Sequence, residues 1–188
     1  ILHIQSDFIV NKNRQFTAKP WYASSEAGRT AMVGTGVHNV DLIRFLVGKP
    51  IASVFAFGND MGELKFAGNK TVSAVLRFEG GSIGTVAVSY VAADRAGGGD
   101  NLFRLVGTGG VVMGDTVGFE GGADGETLGP FRDEFGAACR RCVELFLEAL
   151  LEDAPVAVTP EDAFDSIAAC AAADESCATG LPVVPQRL

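Results

Sequence analysis

The sequence predicts an α+β domain, an open and mostly antiparallel β-sheet with helices packed on one face. Three observations lead there. Several short segments are rich in β-branched and aromatic residues, most of them are joined by turns too short for the crossover of about a dozen residues that parallel neighbours need, and the later part of the chain carries apolar residues at helical spacing. Sheet and helices then form two layers around one core.

Residues 1 to 10, ILHIQSDFIV, read as a strand, and residues 11 to 36 as a long polar loop carrying Lys19, Pro20, Trp21 and Tyr22. Residues 37 to 47 read as a short helix, stopped by Gly48 and Pro50. IASVFAFG (51 to 58), TVSAVLRF (71 to 78) and SIGTVAVSYV (82 to 91) read as strands, the last two joined tightly through Glu79-Gly80-Gly81. NLFRLVG (101 to 107) and VVMGDTVGF (111 to 119) form a further pair across Thr108-Gly109-Gly110. From Arg132 to Glu152, Phe135, Cys139, Cys142, Phe146 and Leu150 recur every three or four residues, the mark of one buried stripe on a long helix that Ala154-Pro155 ends. PVAVT reads as a last strand leading to Thr159 as N-cap, Pro160 at the first helical position, Glu161 and Asp162 in the first turn, and a helix capped by Gly180. TVSAVLRF and SIGTVAVSYV carry small or apolar residues on both sides, so the sheet face without helices is expected to be covered by a partner subunit.

With 188 residues, 47% of them hydrophobic and 20% charged, the chain is expected to form one globular domain. Lys and Arg number 15 against 23 Asp and Glu, a formal charge of −8, and no basic cluster interleaves with aromatics; nucleic acid and anionic membranes are poor partners for it. No apolar run reaches the roughly 18 to 20 residues that span a bilayer, and the first residues lack the charged start of a signal peptide. The chain opens on Ile1 rather than methionine, which suggests an origin in something longer. Cys139, Cys142, Cys170 and Cys177 fall at apolar helical positions with no histidine nearby in sequence, so buried reduced thiols are expected rather than a disulfide or a metal, in a cytoplasmic protein.

Among 24 glycines no dinucleotide loop stands out. That fingerprint needs strand, glycine turn and helix start in order, so that backbone N–H groups and the helix dipole meet the pyrophosphate. GTGVHN lacks the third glycine, Gly107 to Gly110 joins two strands, and Gly97-Gly98-Gly99 follows Asp94-Arg95 in a loop. The segment GTGVHNVDLIRFLVG (34 to 48) holds one of the two histidines where glycines give way to a helix. His38 is the candidate acid or base, since imidazole exchanges protons near neutral pH, and a place in the first helical turn would favour its neutral form. His38, Asp41, Leu42 and Phe45 share one helix face. His3, in a strand, is expected to be structural.

GTGVHNVDLIRFLVG resembles the segment of the Gfo/Idh/MocA oxidoreductases in which a histidine follows a Gly-x dipeptide and precedes x-x-Asp and an apolar helix. The resemblance continues through IASVFAF, TVSAVLRFEGGSIGTVAVSY, LFRLVGTGGVVMGD and the closing VTPEDAFDSIAACAAADESCATGLPVV, covering nearly the whole chain. It implies a C-terminal domain with an open sheet like those of dihydrodipicolinate reductase and glyceraldehyde-3-phosphate dehydrogenase. Residues 1 to 188 would then be the second domain of a two-domain enzyme, with NAD or NADP bound by an N-terminal Rossmann domain outside this chain and none bound by this chain alone. It further implies a sugar, polyol or similar hydroxylated substrate, His38 as acid/base for its hydroxyl, and assembly as a homodimer or homotetramer through the open sheet face. Asp41, Trp21, Tyr22 and Gly34 are the supporting or substrate-facing candidates, and no metal is expected.

Two positions depart from the family pattern. Many members carry an aspartate four residues before the histidine, where this chain has Gly34, and the family's Glu-Lys-Pro lysine has no counterpart, Lys19-Pro20 lying in a different loop. Gly34 therefore leaves a second reading open, in which the same fold serves as a non-catalytic self-associating or ligand-sensing module.

Overall fold

The computed structural model describes residues 1–24, 29–93, 102–122, 125–128 and 135–188. Their strands form one eight-stranded sheet: β1 (His3–Ile9), β2 (Ile51–Asn59), β3 (Thr71–Phe78), β4 (Ile83–Ser89), β5 (Phe103–Val106), β6 (Gly110–Met113), β7 (Thr116–Phe119) and β8 (Glu126–Thr127), in the spatial order β2-β3-β4-β1-β5-β6-β7-β8. Every neighbouring pair is antiparallel except β1 and β4, which run parallel with Ile4 opposite Gly84 and Phe8 opposite Val88. A parallel pair needs a long connection. The chain supplies it through α1 (Asn13–Ala18), a 3-10 turn at Pro20–Ala23, a π-helical turn at Met32–Gly36, α2 (Val37–Val47) and the β2–β3 meander.

One face of this sheet is covered. Ile4, Val54, Ala56, Val72, Leu76, Phe78, Val86 and Val88 point under α2 and α4 (Pro160–Thr179), all but inaccessible to solvent. From above, α2 contributes Val40 and Ile43, and α4 contributes Ala169, Cys170, Ala172 and Ala173. Small side chains let α4 settle close to β2, where Ser176 Oγ accepts a bond from Ala56 N at 2.9 Å and donates to Leu181 O at 2.7 Å. Thr159 caps the start of α4 as expected, and with Asp162 it forms a reciprocal capping box.

The opposite face carries Phe57, Val75, Arg77 and Ile83, all exposed, as the alternation of β3 and β4 requires. The hairpin between them turns through Gly80 and Gly81, both near φ +90, a region that L side chains rarely adopt.

Four sequence expectations are corrected. The stretch from 111 to 119 is two strands, because Gly114 at φ +59 turns the chain after Met113. PVAVT makes no strand, and Val158 is exposed. The polar loop at 11 to 36 contains the helical turns listed above, organised around Phe16, which stacks on Tyr22 and meets Phe66 and Tyr90 at 5.5 Å between ring centroids. The stripe expected to be buried on α3 (Phe135–Glu152) is exposed: Cys139, Cys142, Phe146 and Leu150 all face solvent, and Ala149 is the residue of α3 that is buried among those described. The start of that helix from Arg132 and the Gly97-Gly98-Gly99 loop lie outside the described residues, as does the side chain of Phe135. Cys170 is buried and Cys177 half-buried, as expected of them. Among the described residues no helix is long and apolar enough to cross a membrane.

Candidate active site

The helix that presents His38 begins earlier than its glycines suggest. Thr30 starts it: its Oγ1 accepts from Val33 N at 3.0 Å and donates to Asp174 Oδ2 on α4 at 2.6 Å, while Gly34 N bonds to Thr30 O at 2.8 Å. The chain then winds through the π turn Met32–Gly36 directly into α2, so Gly34 and Gly36 lie within a helix. His38 is therefore about two turns from the helix start, and the dipole argument for a neutral imidazole does not apply to it. Single π turns widen a helix locally and often occur at functional sites.

His38 opens onto a polar cavity of about 180 Å³ where the parallel strands β1 and β4 end, lined by Phe8, Lys12, Gln15, Phe16, Tyr22, Arg29, Gly34, Thr35 and Tyr90 besides the histidine. Tyr90, just past β4, has a buried hydroxyl 2.8 Å from Thr35 Oγ1 and 3.4 Å from the carbonyl of Ala31. Arg29 lies with its guanidinium 4.6 Å from the Tyr22 ring centroid, and its Nη2 donates to Gly34 O at 3.1 Å. Lys12 Nζ sits 5.5 Å from the Phe8 ring centroid. A Cβ on Gly34 would come within 3.0 Å of Tyr90 Oη and 3.3 Å of Arg29 Nη2. An aspartate at this position would press on the Tyr90 phenol and the Arg29 guanidinium, which would have to shift by a few tenths of an ångström.

The predicted residues separate into two groups. His38, Tyr22 and Gly34 meet at this cavity. Trp21, more than half exposed, stacks behind Tyr22 at 4.0 Å between centroids and does not line it. Asp41 faces α4: its Oδ1 accepts from Ser166 Oγ at 2.7 Å and lies 3.8 Å from Arg44, which itself bonds to Ser166 Oγ, Asp162 O and Asp165 Oδ2. That network clamps α2 to α4 beside a separate cavity of about 420 Å³. Lys19 lies 5.7 Å from the Tyr22 ring centroid, and His3 Nε2 is 3.3 Å from Thr85 Oγ1 within the sheet. Lys12, Arg29, Thr35 and Tyr90 escaped the sequence reading; the one available signal was the fall of Tyr90 at a strand end next to a connecting loop.

Burial sets the proton chemistry of the lining. It lowers the pKa of Lys12, with the nearby Arg29 charge adding to the effect, and it raises that of Tyr90 against the opposing hydrogen bond to Thr35. Burial also raises the Asp174 carboxyl, opposed by the Thr30 hydroxyl, and pushes the Cys170 thiol up to about 12, which makes it a poor nucleophile.

A larger cavity of about 700 Å³ shares Phe16 with this one and runs past Pro20, Glu63, Leu64 and Lys65. It is mainly apolar and lacks a histidine, which leaves the smaller, polar cavity as the candidate site. Among the described residues no three His, Cys, Asp or Glu side chains converge as a metal site would require. Nor do the described residues fit a dinucleotide: Gly34 and Gly36 are inside a helix, and Gly107 to Gly110 connects β5 to β6.

Known proteins share this architecture. An oxidoreductase from Agrobacterium radiobacter, in complex with NAD+, L-tartaric acid and magnesium, superimposes with a TM-score of 0.80 at 21% identity over 97% of this chain and 56% of its own. Levoglucosan dehydrogenase, in complex with NADH and levoglucosan, gives 0.81 at 20% identity over 100% and 60%, and myo-inositol 2-dehydrogenase from Lactobacillus plantarum 0.77 at 18% over 99% and 57%. The chain thus spans little more than half the length of these proteins. No curated protein sequence matches it. The model of the GFO/IDH/MocA C-terminal domain matches residues 1–113, more than half of the chain, and the chain belongs to the GFO/IDH/MocA family.

Proposed function

We propose that this chain is the substrate-binding and self-associating domain of a cytoplasmic two-domain oxidoreductase that acts on a sugar, polyol or related hydroxylated compound with NAD or NADP. The observation that carries the reading is His38 at a polar cavity, in a family whose solved relatives include dehydrogenases of levoglucosan and myo-inositol. Because the described residues hold no dinucleotide cradle, the nicotinamide, which would exchange a hydride with the substrate carbon, is assigned to an N-terminal domain outside this chain. The chain's own work is to seat the substrate and to move a proton. Tyr22 and Phe16 give the cavity an apolar wall, Tyr90 and Thr35 offer hydroxyls, and His38, whose imidazole is hydrogen-bonded to no other described residue, takes the proton of the reacting hydroxyl.

His38→Ala in the complete enzyme is expected to lower turnover by about 10² to 10⁴ with little change in folding stability. Unchanged turnover would remove it from the mechanism and favour the non-catalytic module, which Gly34, in place of a carboxylate, otherwise supports. Self-association is assigned to the open sheet face, where Phe57, Val75 and Ile83 leave an apolar strip exposed. Val75→Lys is expected to lower the oligomeric state in sedimentation without unfolding the protein; an unchanged state would place the contact elsewhere. The exposed thiols of Cys139 and Cys142 suit a reducing compartment.

A further inference from the structure

Lys12, Arg29 and His38 converge on the 180 Å³ cavity, and among the described residues lining it none is an acid. In a chain of net charge −8 the composition favours the reverse. Among the described residues neither Lys12 nor Arg29 forms an ion pair, although Lys12 is partly buried and feels the Arg29 charge. Two neighbouring cations with no ion-pair partner among the described residues repel each other and lose hydration, a cost that an anion between them would reverse. Both are also held in place. The Tyr22 ring under Arg29 and the bond from its Nη2 to Gly34 O orient the guanidinium, and the backbone of Lys12 is bonded to Tyr90 O at 2.9 Å. A planar guanidinium so fixed suits the two oxygens of a carboxylate or phosphate, and the lysine adds a point charge.

We propose that this cavity recognises a substrate carrying an anionic oxygen group, carboxylate or phosphate, close to the hydroxyl that reacts, with Lys12 and Arg29 as the recognition pair. The inference deepens the oxidoreductase reading by naming a substrate class, but its test requires no turnover. D-glycerate, glycerol 3-phosphate and glycerol share a three-carbon skeleton and differ in the end group, so NMR titration of the protein with each isolates the charge. At least one acid is expected to bind saturably and at least about tenfold more tightly than glycerol, with the stronger of the two identifying the group. Arg29→Gln and Lys12→Gln should each weaken that acid by about tenfold or more, and Arg29→Lys, which keeps the charge but loses the fork, should fall between. Thermal unfolding of the variants confirms that they fold. Equal binding of glycerol and the acids, saturable binding of neither acid, or folded Gln variants that bind the acid as the parent does would each overturn the proposal. Acid binding together with unchanged turnover in His38→Ala would keep the anion site and remove the hydride reaction.

Discussion

Phe78 on β3 and Phe146 on α3 are the same side chain in two regions that treat it oppositely: the first is 1% exposed and the second 53%. On one face of β2, β3, β4 and β1 the apolar residues are closed in by α2 and α4. From β5 to the end of α3, Ala149 is the one buried residue among those described, while Val111, Met113, Phe119, Val143, Leu147 and Leu151 are open to solvent. Both regions have the apolar spacing of amphipathic elements. The difference teaches that periodicity identifies a face that needs cover and leaves open what supplies the cover.

The sharpest way to break this comparison is to empty both positions. Phe78→Ala is expected to lower unfolding free energy by about 3 to 5 kcal/mol, whereas Phe146→Ala should stay within about 0.5 kcal/mol in the same denaturant titration. Equal losses would mean that α3 is packed in solution and would erase the distinction. A smaller effect tests the seam inside the closed region. Ser166→Ala removes the hydroxyl shared by Asp41 and Arg44 and should cost about 1 to 2 kcal/mol while leaving ligand affinity at the His38 cavity unchanged; a drop in affinity would bring Asp41 into the site.

The smallest effect comes from Asp174, which ties α4 to the helix start through Thr30. Its pKa is raised in the folded state, chiefly by burial. The folded protein therefore holds this proton more firmly than the unfolded chain, and the charge opposes folding at pH values above the raised pKa. Asp174→Asn, which can still accept from Thr30, should be slightly more stable than the parent at neutral pH. As the pH falls below the ordinary carboxylate range and the parent's carboxyl is protonated in both states, this advantage should vanish. An advantage that persisted there would assign the gain to something other than charge.

Local chemistry was legible wherever it decides structure alone. The stop at Gly48, the Gly80-Gly81 hairpin and the N-cap at Thr159 follow from backbone preferences of a few residues, and the structure has each of them. The family resemblance read from GTGVHNVDLIRFLVG and the segments after it holds over the first part of the chain, as the domain match to residues 1–113 shows. The parallel pairing of β1 with β4 depends on where a distant meander returns, which no spacing encodes. At the cavity, His38 was visible because a histidine beside glycines is chemically conspicuous. Lys12, Arg29 and Tyr90 were not, since they come from three separated stretches and meet only when the sheet forms. Gly34 looked like a missing acid. Its surroundings show a phenol and a guanidinium closely approaching the position instead.

The π turn at Met32–Gly36 has a consequence of rotational phase. An ordinary helix advances about 100° per residue, so residues before and after the turn are offset from the azimuth that an unbroken α-helix would give them. Winding the same residues as an unbroken α-helix would swing Thr30 and Arg29 around the axis by up to about 100° relative to His38, parting the cation from the imidazole while every side chain that lines the cavity is still present in the sequence. The composition of the site and its alignment are thus separate properties of the chain, and the π turn governs the second.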